Sequence, residues 1–284
     1  MRKRVLGIVV FLCMLGILGL GSYFYHKAGE EATFSIRFLD VGQGDAALVE
    51  CDGHYMLIDG GDIEAGDRVY ETLKEQGVRK LDILVISHLH LDHMGGLTKA
   101  LTQTSSVGLT LSNADHADRE VFRQLERGLE ANGSKITIPA VGDTYPLGSA
   151  TVEVLDVSAA EENDSLVLMI AYGDTRFLFT GDMEETAQTR LCDRYEKESD
   201  GAYDVDLIKM PHHGSYTGSL YRLLRTFMPE YAVISAGKGN DYGHPHGRTL
   251  ELLENDSKTF EVYRTDWDGD ILVKSDGKWL FVEE

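Results

Sequence analysis

Three histidines and an aspartate stand within six positions, directly after a stretch that predicts a buried strand. Residues 81–87 are mostly apolar, and the chain then releases His88, His90, Asp92 and His93 into a loop that leads to a Gly-Gly turn. A strand that ends in this way can direct all four side chains to one place. Only ten histidines occur in 284 residues, so a chance cluster in a polar loop is the weaker interpretation.

Imidazole nitrogens and a carboxylate oxygen are ligands for zinc, iron or manganese. The spacing allows two metals close together, with His88 and His90 on one metal and Asp92 and His93 on the other. The cluster therefore predicts a two-metal site. Such a site needs a bridging ligand and a closing ligand from elsewhere in the chain.

Two later strand ends offer these ligands. Residues 177–180 form a predicted strand that ends in a glycine and Asp182, where a carboxylate can bridge two metals; taken alone it would be an ordinary turn. Residues 206–210 form another predicted strand, followed by His212 and His213. We expect His212 to complete the second metal site, although little in the sequence separates the two histidines. The neighbour then supports a ligand or protonates a leaving oxygen.

A further pair, His244 and His246, follows the strand predicted at residues 231–235. His244 comes after this strand end, where it can contact substrate oxygens. A solvated loop histidine is nearly as good an interpretation of His244, and the better interpretation of His246.

The charge of the chain restricts its partners. It contains 27 basic and 47 acidic residues, and the first 27 residues hold four of the basic ones and no acidic one. The remainder therefore carries a net charge of −24. A surface of this kind repels polyanions at long range and argues against a broad Lys/Arg groove for nucleic acid. It does not exclude a nuclease, because bound metals bring positive charge to the site.

The N-terminus predicts a membrane anchor or an export signal. Basic residues at positions 2–4 precede an uncharged, mostly apolar run at 5–24, and about 20 apolar residues span a bilayer as a helix. The basic flank stays in the cytoplasm, so the rest of the chain is expected outside it. No good cleavage site follows, which favours an uncleaved anchor over a cleaved signal.

The rest of the chain predicts one domain. We assign residues 1–27 to the anchor, 28–32 to a polar linker and 33–284 to the domain, in which strands lead and helices are interspersed in both halves. This order predicts an α/β fold of two packed sheets with helices outside. Beyond the anchor, Cys51 and Cys192 are too few for a disulfide framework.

The chain resembles a metallo-β-lactamase-fold hydrolase and, more narrowly, the extracytoplasmic hydrolase domain of ComEC-type competence proteins. The metal motif carries the broader resemblance. The Gly-Gln-Gly-Asp and His-His-Gly-Ser stretches carry the narrower one. The similar stretches run in family order across about 210 residues, at 38–45, 57–61, 87–96, 163–167, 178–182, 212–215 and 240–245.

The resemblance implies an αββα sandwich with a site for two divalent ions, Zn²⁺ or Mn²⁺, at one edge between the sheets. By this resemblance His88 and His90 bind the first metal and Asp92 and His93 the second. The remaining implied roles are a bridge at Asp182, a closing ligand at His212 or His213, a nearby carboxylate at Asp45 and a turn or ligand-supporting residue at Asp59.

One position departs from the general superfamily. Most members carry a histidine just before the strand predicted at 165–172, but Asn163 and Asp164 stand there in this chain. This is usual in the ComEC-like branch. We therefore expect the first metal to take an amide, carboxylate or water ligand instead, and to bind more weakly.

The resemblance also implies a metal-dependent phosphodiesterase that acts outside the cytoplasm. Asp92 or Asp182 would orient the attacking water, and His213 or His244 would protonate the leaving group. DNA is the expected substrate, and cell-wall phosphodiesters such as teichoic acid are the alternative.

Two other functions compete with this one. Hydrolysis of a β-lactam or lactone is compatible with the fold, but the missing histidine at Asn163 and the His-His-Gly-Ser stretch argue against it. A non-catalytic surface module for DNA uptake would bind DNA without turning it over. The intact ligand motifs make that second alternative the weaker one.

Overall fold

The structure is a computed structural model that describes Gly29 and residues 32–196, 203–217, 219–255 and 261–283. The anchor expected at 1–27 and most of the linker expected at 28–32 lie outside these residues. Within them, no helix combines the length and the apolar character that crossing a membrane requires.

The described residues form fifteen strands, numbered here in chain order. They are β1 (Phe34–Phe38), β2 (Ala47–Cys51), β3 (His54–Ile58), β4 (Lys80–Ile86), β5 (Ser106–Ser112), β6 (Ile136–Thr137), β7 (Thr144–Leu147), β8 (Ala150–Asp156), β9 (Val167–Tyr172), β10 (Thr175–Phe179), β11 (Leu207–Lys209), β12 (Tyr231–Ile234), β13 (Glu261–Arg264), β14 (Ile271–Ser275) and β15 (Leu280–Glu283).

Eight α-helices and two short 3₁₀ helices connect the described strands. The α-helices are α1 (Gly66–Glu75), α2 (Leu91–Met94), α3 (Leu97–Ala100), α4 (Glu120–Ala131), α5 (Glu185–Tyr195), α6 (Leu220–Phe227), α7 (Gly247–Asn255) and α8 (Thr265–Asp268). The 3₁₀ helices are Ile63–Ala65 and Pro211–Gly214.

The strands make two mixed sheets. The first has the order β15-β14-β1-β2-β3-β4-β5-β6, and the second has the order β13-β12-β11-β10-β9-β8-β7. Neighbours from β3 to β6 and from β10 to β13 run parallel. The other neighbouring pairs are antiparallel, among them the hairpin β2–β3.

Apolar side chains hold the two sheets and their helices in four layers. One cluster fills the space between the sheets and includes Phe34, Val85, Phe177 and Val233. A second covers the outer face of the first sheet with α1, α3 and α4, and a third covers the outer face of the second sheet with α5, α6 and α7. This confirms the two packed sheets with outer helices that the sequence predicted. Residues 83–86 of β4 are buried on both faces, so this part of the strand is continuously apolar rather than alternating.

Stacked aromatic rings join the sheets across their interface. The Phe34 ring of β1 lies 5.0 Å from the Tyr172 ring and 4.9 Å from the Phe177 ring, measured between centroids. Phe38 of the same strand stacks on Phe179 at 5.7 Å. These separations are those at which aromatic pairs attract one another beyond their burial.

The parallel strands determine where the polar loops meet. In the second sheet the carboxyl ends of β10, β11 and β12 lie at one edge, and the loops that follow carry Asp182, the His212–His213 pair and His244. The carboxyl end of β4 in the first sheet delivers His88 to the same place, as the contacts below show. Ligands commonly bind in the crevice beyond such strand ends.

The tail of the chain forms three short strands, β13, β14 and β15. Between β13 and β14 lies α8, which spans only four residues and is not predicted by the sequence. An element of one turn shows no periodicity that a sequence pattern can detect.

Replacing Phe177 by alanine should destabilise the sandwich strongly, because the ring is fully buried between the sheets. We expect the free energy of unfolding to fall by about 3–5 kcal/mol, measured by chemical denaturation. The matched control is Tyr221→Ala on the exposed face of α6, which should change stability by less than about 0.5 kcal/mol. Equal losses in the two variants would contradict the layered packing.

Candidate metal centre

The loop after β4 brings two histidines and an aspartate into the interior. His88 is 2% exposed, and His93 is fully buried one turn into α2. Asp92 stands beside His93 and is half-buried. His90 immediately precedes α2 and is more open, with a quarter of its side chain exposed. His88 and His93 are therefore inward, whereas His90 lies at the rim.

Asp182 is the focus of the site. It is 1% exposed, and its Oδ2 lies 3.2 Å from Nε2 of His93, 3.4 Å from that of His213, 3.8 Å from that of His212 and 3.9 Å from that of His88. One carboxylate oxygen therefore has four imidazole nitrogens around it. Two of these histidines come from the first sheet and two from the second, as expected for a bridging ligand.

The residue before Asp182 must be a glycine. Gly181 has a φ of +52°, and a Cβ there would lie 2.6 Å from the Ser165 side chain. The left-handed backbone turns the chain sharply at the end of β10. Ser165 Oγ then accepts a hydrogen bond from the Asp182 main-chain N–H at 3.0 Å.

His212 and His213 have a strained backbone that separates their rings. Their φ values are +48° and +54°, and Gly214 follows at +79°. Left-handed conformations cost non-glycine residues about 1–3 kcal/mol each and cluster at functional sites. As a result His213 points inward and is 1% exposed, while His212 lies at the rim and is about a quarter exposed.

His213 lies with the inward candidate ligands. Its Nε2 lies 3.2 Å from Asp92 Oδ2. Together Asp92, His93, Asp182 and His213 offer ligand atoms that all lie within 4.8 Å of one another. His212 is not in this group, and its Nδ1 lies 3.1 Å from Glu184 Oε1. The geometry therefore favours His213 over His212, the residue preferred from the sequence, as the closing ligand.

The inward histidines all turn the same nitrogen toward Asp182. Nδ1 of His88 contacts Ser87 Oγ at 3.2 Å, Nδ1 of His93 contacts Asp59 Oδ2 at 2.8 Å, and Nδ1 of His213 contacts the Ser235 carbonyl at 3.0 Å. A carbonyl or carboxylate at Nδ1 holds a proton there, so Nε2 carries the free lone pair whenever the ring is neutral. The neutral tautomer selected in this way is the one that binds a metal.

Several buried atoms at the centre lack a hydrogen-bond partner among the described residues. Among them are Nε2 of His88, Nε2 of His93 and Oδ1 of Asp182, and Oδ1 of Asp45, Nδ1 of His212 and Nδ1 of His244 lie around them. Buried polar atoms are normally satisfied, so the three atoms at the centre indicate a missing partner. Two imidazoles and two carboxylates suit Zn²⁺, Mn²⁺ or iron, and the residues therefore fit a bound divalent metal.

The residues expected to hold the first metal, His88 and His90, are less well assembled than those expected to hold the second. The rings of His88 and His90 lie 4.5 Å apart, but the nearest carboxylate to His90 Nε2 is Glu162 at 3.8 Å rather than Asp182. Asn163 donates from Nδ2 to Glu184 Oε1 at 3.0 Å, so its amide is engaged away from the ligands. Asp164 is buried and pairs with Arg190. Neither residue replaces the histidine that most relatives have.

Asp45 and Asp59 lie behind the ligands. Asp59 accepts hydrogen bonds from the Ser87 main chain and hydroxyl at 2.7 Å and contacts His93. Asp45 lies 3.2 Å from Nδ1 of His213 and 2.7 Å from the ammonium of buried Lys209. Both aspartates thus support the histidines that complete the second metal position.

His244 lies at the rim with His212 and His213. Its ring centroid is 5.3 Å from that of His212 and 6.0 Å from that of His213. His246 points elsewhere, because its Nδ1 accepts a hydrogen bond from the Tyr216 main chain at 3.0 Å. His246 therefore has a structural contact, while His244 remains able to meet a ligand.

Two further residues were not found from the sequence. Glu184 holds His212 and Asn163 together, and its only signal was a position two residues after Asp182. Lys209 had a clearer signal, since a lysine stands inside the apolar strand β11. Both act through contacts with residues distant in sequence, which no local pattern contains.

Burial and charge shift the pKa values of the central groups. Burial alone would lower the pKa of His93, but Asp182 and Asp59 outweigh it and raise the pKa well above its usual value. Burial likewise opposes the effect of Asp182 and Asp45 on His213, whose pKa is also raised well above the usual value. Burial would raise the pKa of Asp182, yet His213 and His93 hold it well below the usual range. Imidazolium and carboxylate therefore stabilise each other when metal is absent.

Other histidines at the centre behave differently. Burial, followed by the nearby His93, lowers the pKa of His88 well below its usual value. Burial and then the neighbouring His212 and His213 lower the pKa of His244 to about 4. His88 and His244 are therefore neutral at neutral pH.

The fold and the centre define a metal-binding hydrolase of the metallo-β-lactamase type. The metallo-beta-lactamase superfamily is matched over residues 39–238, and the chain belongs to this superfamily. Members of the superfamily are generally metal-dependent hydrolases, often with two metals.

The curated relatives confirm the narrower resemblance to ComEC-type competence proteins. ComE operon protein 3 of Bacillus subtilis is 27% identical over an alignment of 258 residues, which covers 83% of this chain and 32% of that protein. Competence protein ComA of Neisseria gonorrhoeae is 28% identical over 250 residues, 86% of this chain and 32% of that protein. Recombination protein 2 of Haemophilus influenzae is 27% identical over 252 residues, with shares of 86% and 29%. The chain spans about a third of the length of these relatives.

Solved structures show the same fold at low sequence identity. The metallo-beta-lactamase fold protein YhfI from Bacillus subtilis is 11% identical, with a TM-score of 0.54 over 88% of this chain and 100% of that one. CmlA, a diiron beta-hydroxylase from Streptomyces venezuelae, is 15% identical with a TM-score of 0.54, over 86% of this chain and 54% of that one. At these identities the likeness concerns the fold alone.

Metal binding should release protons at pH 7. The raised pKa values of His93 and His213 mean that both carry a proton in the metal-free protein, and both must be neutral to bind metal. We expect Zn²⁺ binding to release a proton from each histidine and to tighten as the pH rises. Calorimetry in buffers of different ionisation enthalpy measures this release, and His54→Ala, on the exposed start of β3, is the control that should leave it unchanged. Heats that do not depend on the buffer would contradict the assignment.

Proposed function

We propose that this chain is a metal-dependent phosphodiesterase that acts outside the cytoplasm. One observation carries the proposal: a buried carboxylate, Asp182, lies among histidines from both sheets and can be shared by two metals. The first metal would be held by His88, His90 and Asp182, and the second by Asp92, His93, His213 and Asp182. Two divalent metals supply an activated water and offset the charge that develops on a phosphoryl group.

His212 is the best proton donor to the leaving oxygen. Its Nδ1 lies 3.1 Å from Glu184 Oε1, and its Nε2 lies 3.8 Å from Asp182 Oδ2 on the side of the centre. Its partial exposure lets it reach a substrate, whereas buried His213 is engaged as a ligand. This exchanges the roles that the sequence suggested for the two histidines. Glu184 is in turn oriented by Asn163, so the residues at the missing-histidine position support proton transfer.

His244 can orient the substrate but is a poor acid. Its pKa of about 4 leaves it neutral above pH 5, so it contributes hydrogen bonds rather than an ionised proton source. Its place beside His212 puts these bonds on the side where the leaving group departs.

A cleft next to His88 and His90 gives the substrate a place to extend. Its walls carry His116 and Arg119 on one segment and Glu161 and Glu162 on another. The Arg119 guanidinium, with the His116 ring beside it, can face a phosphate next to the scissile one. The names of the competence and recombination relatives support DNA as the substrate.

The acidic character of the chain favours a second substrate class. The domain carries a strong net negative charge, and the cleft itself holds two glutamates. Such a surface repels a long polyanion. A cell-wall phosphodiester, which presents fewer phosphates to the protein at once, avoids part of this repulsion. We therefore keep cell-wall phosphodiesters, such as teichoic acid, as the alternative to DNA.

The N-terminal sequence supports an activity outside the cytoplasm. The uncharged apolar run behind three basic residues would anchor the chain and leave the domain on the outer side of the membrane. An extracytoplasmic domain would meet both incoming DNA and cell-wall polymers. The location is thus compatible with either substrate.

Turnover should require metal and Asp182. We expect the purified chain to hydrolyse bis-p-nitrophenyl phosphate with Zn²⁺ or Mn²⁺ and to lose this activity with chelator. Asp182→Asn should lower the rate about 100-fold or more, because several kcal/mol of charge stabilisation depend on the metals. The control is Asp193→Asn, the same change at an exposed position of α5.

Parallel assays on linear DNA and on teichoic acid decide the substrate class. Binding of DNA without cleavage in metal-replete buffer would favour a non-catalytic uptake module. Hydrolysis of a β-lactam or lactone, with no action on any phosphodiester, would overturn the proposal.

Substitutions of the two adjacent histidines should impair different steps. We expect His212→Gln to lower kcat by about 10²–10⁴-fold while both metals still bind, because it removes only the proton donor. His213→Gln should weaken the binding of one metal, because it removes a ligand. Zn²⁺ titration and steady-state kinetics on both variants measure the difference, and equal metal loss in the two would contradict these roles.

A further inference from the structure

Lys209 is a buried cation next to the metal centre that the proposed reaction does not use. It ends β11 and is 2% exposed. Its ammonium lies 2.7 Å from Asp45 Oδ2 and donates to the Met210 carbonyl at 3.0 Å. Burying an ammonium costs several kcal/mol unless a partner compensates it. Its placement therefore depends on Asp45.

Asp45 connects this lysine to both ligand loops. Its main-chain N–H donates to the Asp92 carbonyl at 3.1 Å, and its own carbonyl accepts from Gly61 at 2.8 Å. Its Oδ1 lies 3.2 Å from Nδ1 of His213. Asp45 thus belongs to the first sheet by its backbone and holds a histidine of the second sheet by its side chain.

The space around Asp45 would let its carboxylate turn away. Asp45, Asp59, Ser87, Lys209 and Ser235 line one cavity between the sheets. Asp45, Asp59 and His93 offer ligand atoms that lie within 4.8 Å of one another, so the Asp45 carboxylate stands close to a second carboxylate that repels it. The Lys209 ammonium beside Oδ2 offsets this repulsion and holds the Asp45 carboxylate next to His213.

We propose that Lys209 is a positioning residue for the second metal. It holds the Asp45 carboxylate 3.2 Å from Nδ1 of His213, beside the Ser235 carbonyl that accepts the Nδ1 proton, and so keeps the charge of Asp45 next to that ring. His213 then presents Nε2 to the metal. The inference rests on the metal site of the proposed function, but it does not depend on which substrate is hydrolysed.

Replacing Lys209 by methionine tests the proposal on the full chain. After metal is removed with chelator, Zn²⁺ is titrated against a chromophoric competitor. We expect Lys209→Met to weaken one of the two bound ions by about 10–100-fold, the usual effect of losing a group that orients a ligand, and to leave the other unchanged. Arg194→Met is the matched control, because it removes an ion pair to buried Asp156 outside the centre. It should leave both ions at wild-type affinity.

A double variant covers the case in which Lys209→Met does not fold. Asp45→Asn with Lys209→Met removes both charges and leaves no unpaired ion in the core. We expect it to unfold cooperatively and still to bind one ion more weakly, and we expect ¹⁵N imidazole spectra of the metal-loaded protein to show His213 without a fixed Nδ1 proton.

Wild-type affinity for both ions in either folded variant would overturn the proposal, as would an unchanged His213 spectrum. None of these measurements uses a substrate. A failed phosphodiesterase assay therefore leaves this result interpretable, and a failed Zn²⁺ test leaves the catalytic assay interpretable.

Discussion

The structure depends on one buried carboxylate that both sheets surround with imidazoles. Ionised Asp182 in the interior would cost several kcal/mol without compensation, and His93 and His213 supply it from opposite sheets. The left-handed backbone at Gly181 turns the chain sharply and brings this carboxylate into the interior. The left-handed His212–His213 segment is strained so that one ring reaches it. The binding energy of a metal at this position would offset that strain.

The hydrogen bonds behind the histidines determine what the centre can do. Asp59 and the Ser235 carbonyl contact Nδ1 of His93 and of His213, so Nε2 of each ring points toward Asp182. Nδ1 of His212 lies beside Glu184 at the rim, and its Nε2 also lies on the side of Asp182. Under the proposed function, this shared orientation would give metal ligands in the interior and a proton donor at the rim.

Much of the candidate site could be predicted because it lies in local patterns. His88, His90, Asp92 and His93 follow a strand that ends in an apolar run, and Asp182 follows another, so the strand ends could be recognised from hydrophobic runs alone. The mixed order of strands and helices likewise predicted two covered sheets. Local patterns could not distinguish two adjacent residues of the same type. His212 and His213 are equivalent in sequence, and only their positive φ values direct one ring inward and the other to the rim.

The sequence by itself determined the chemistry available to this protein, namely imidazoles and carboxylates at strand ends, and the family to which it belongs. Tertiary structure alone decided which of these groups meet. Lys209 reaches Asp45 across 164 positions of chain, and Asp92 meets His213 across 121. Such contacts arise because parallel strands bring distant segments to one edge. Their distances follow from the packing of two sheets, and no spacing within one segment records that packing.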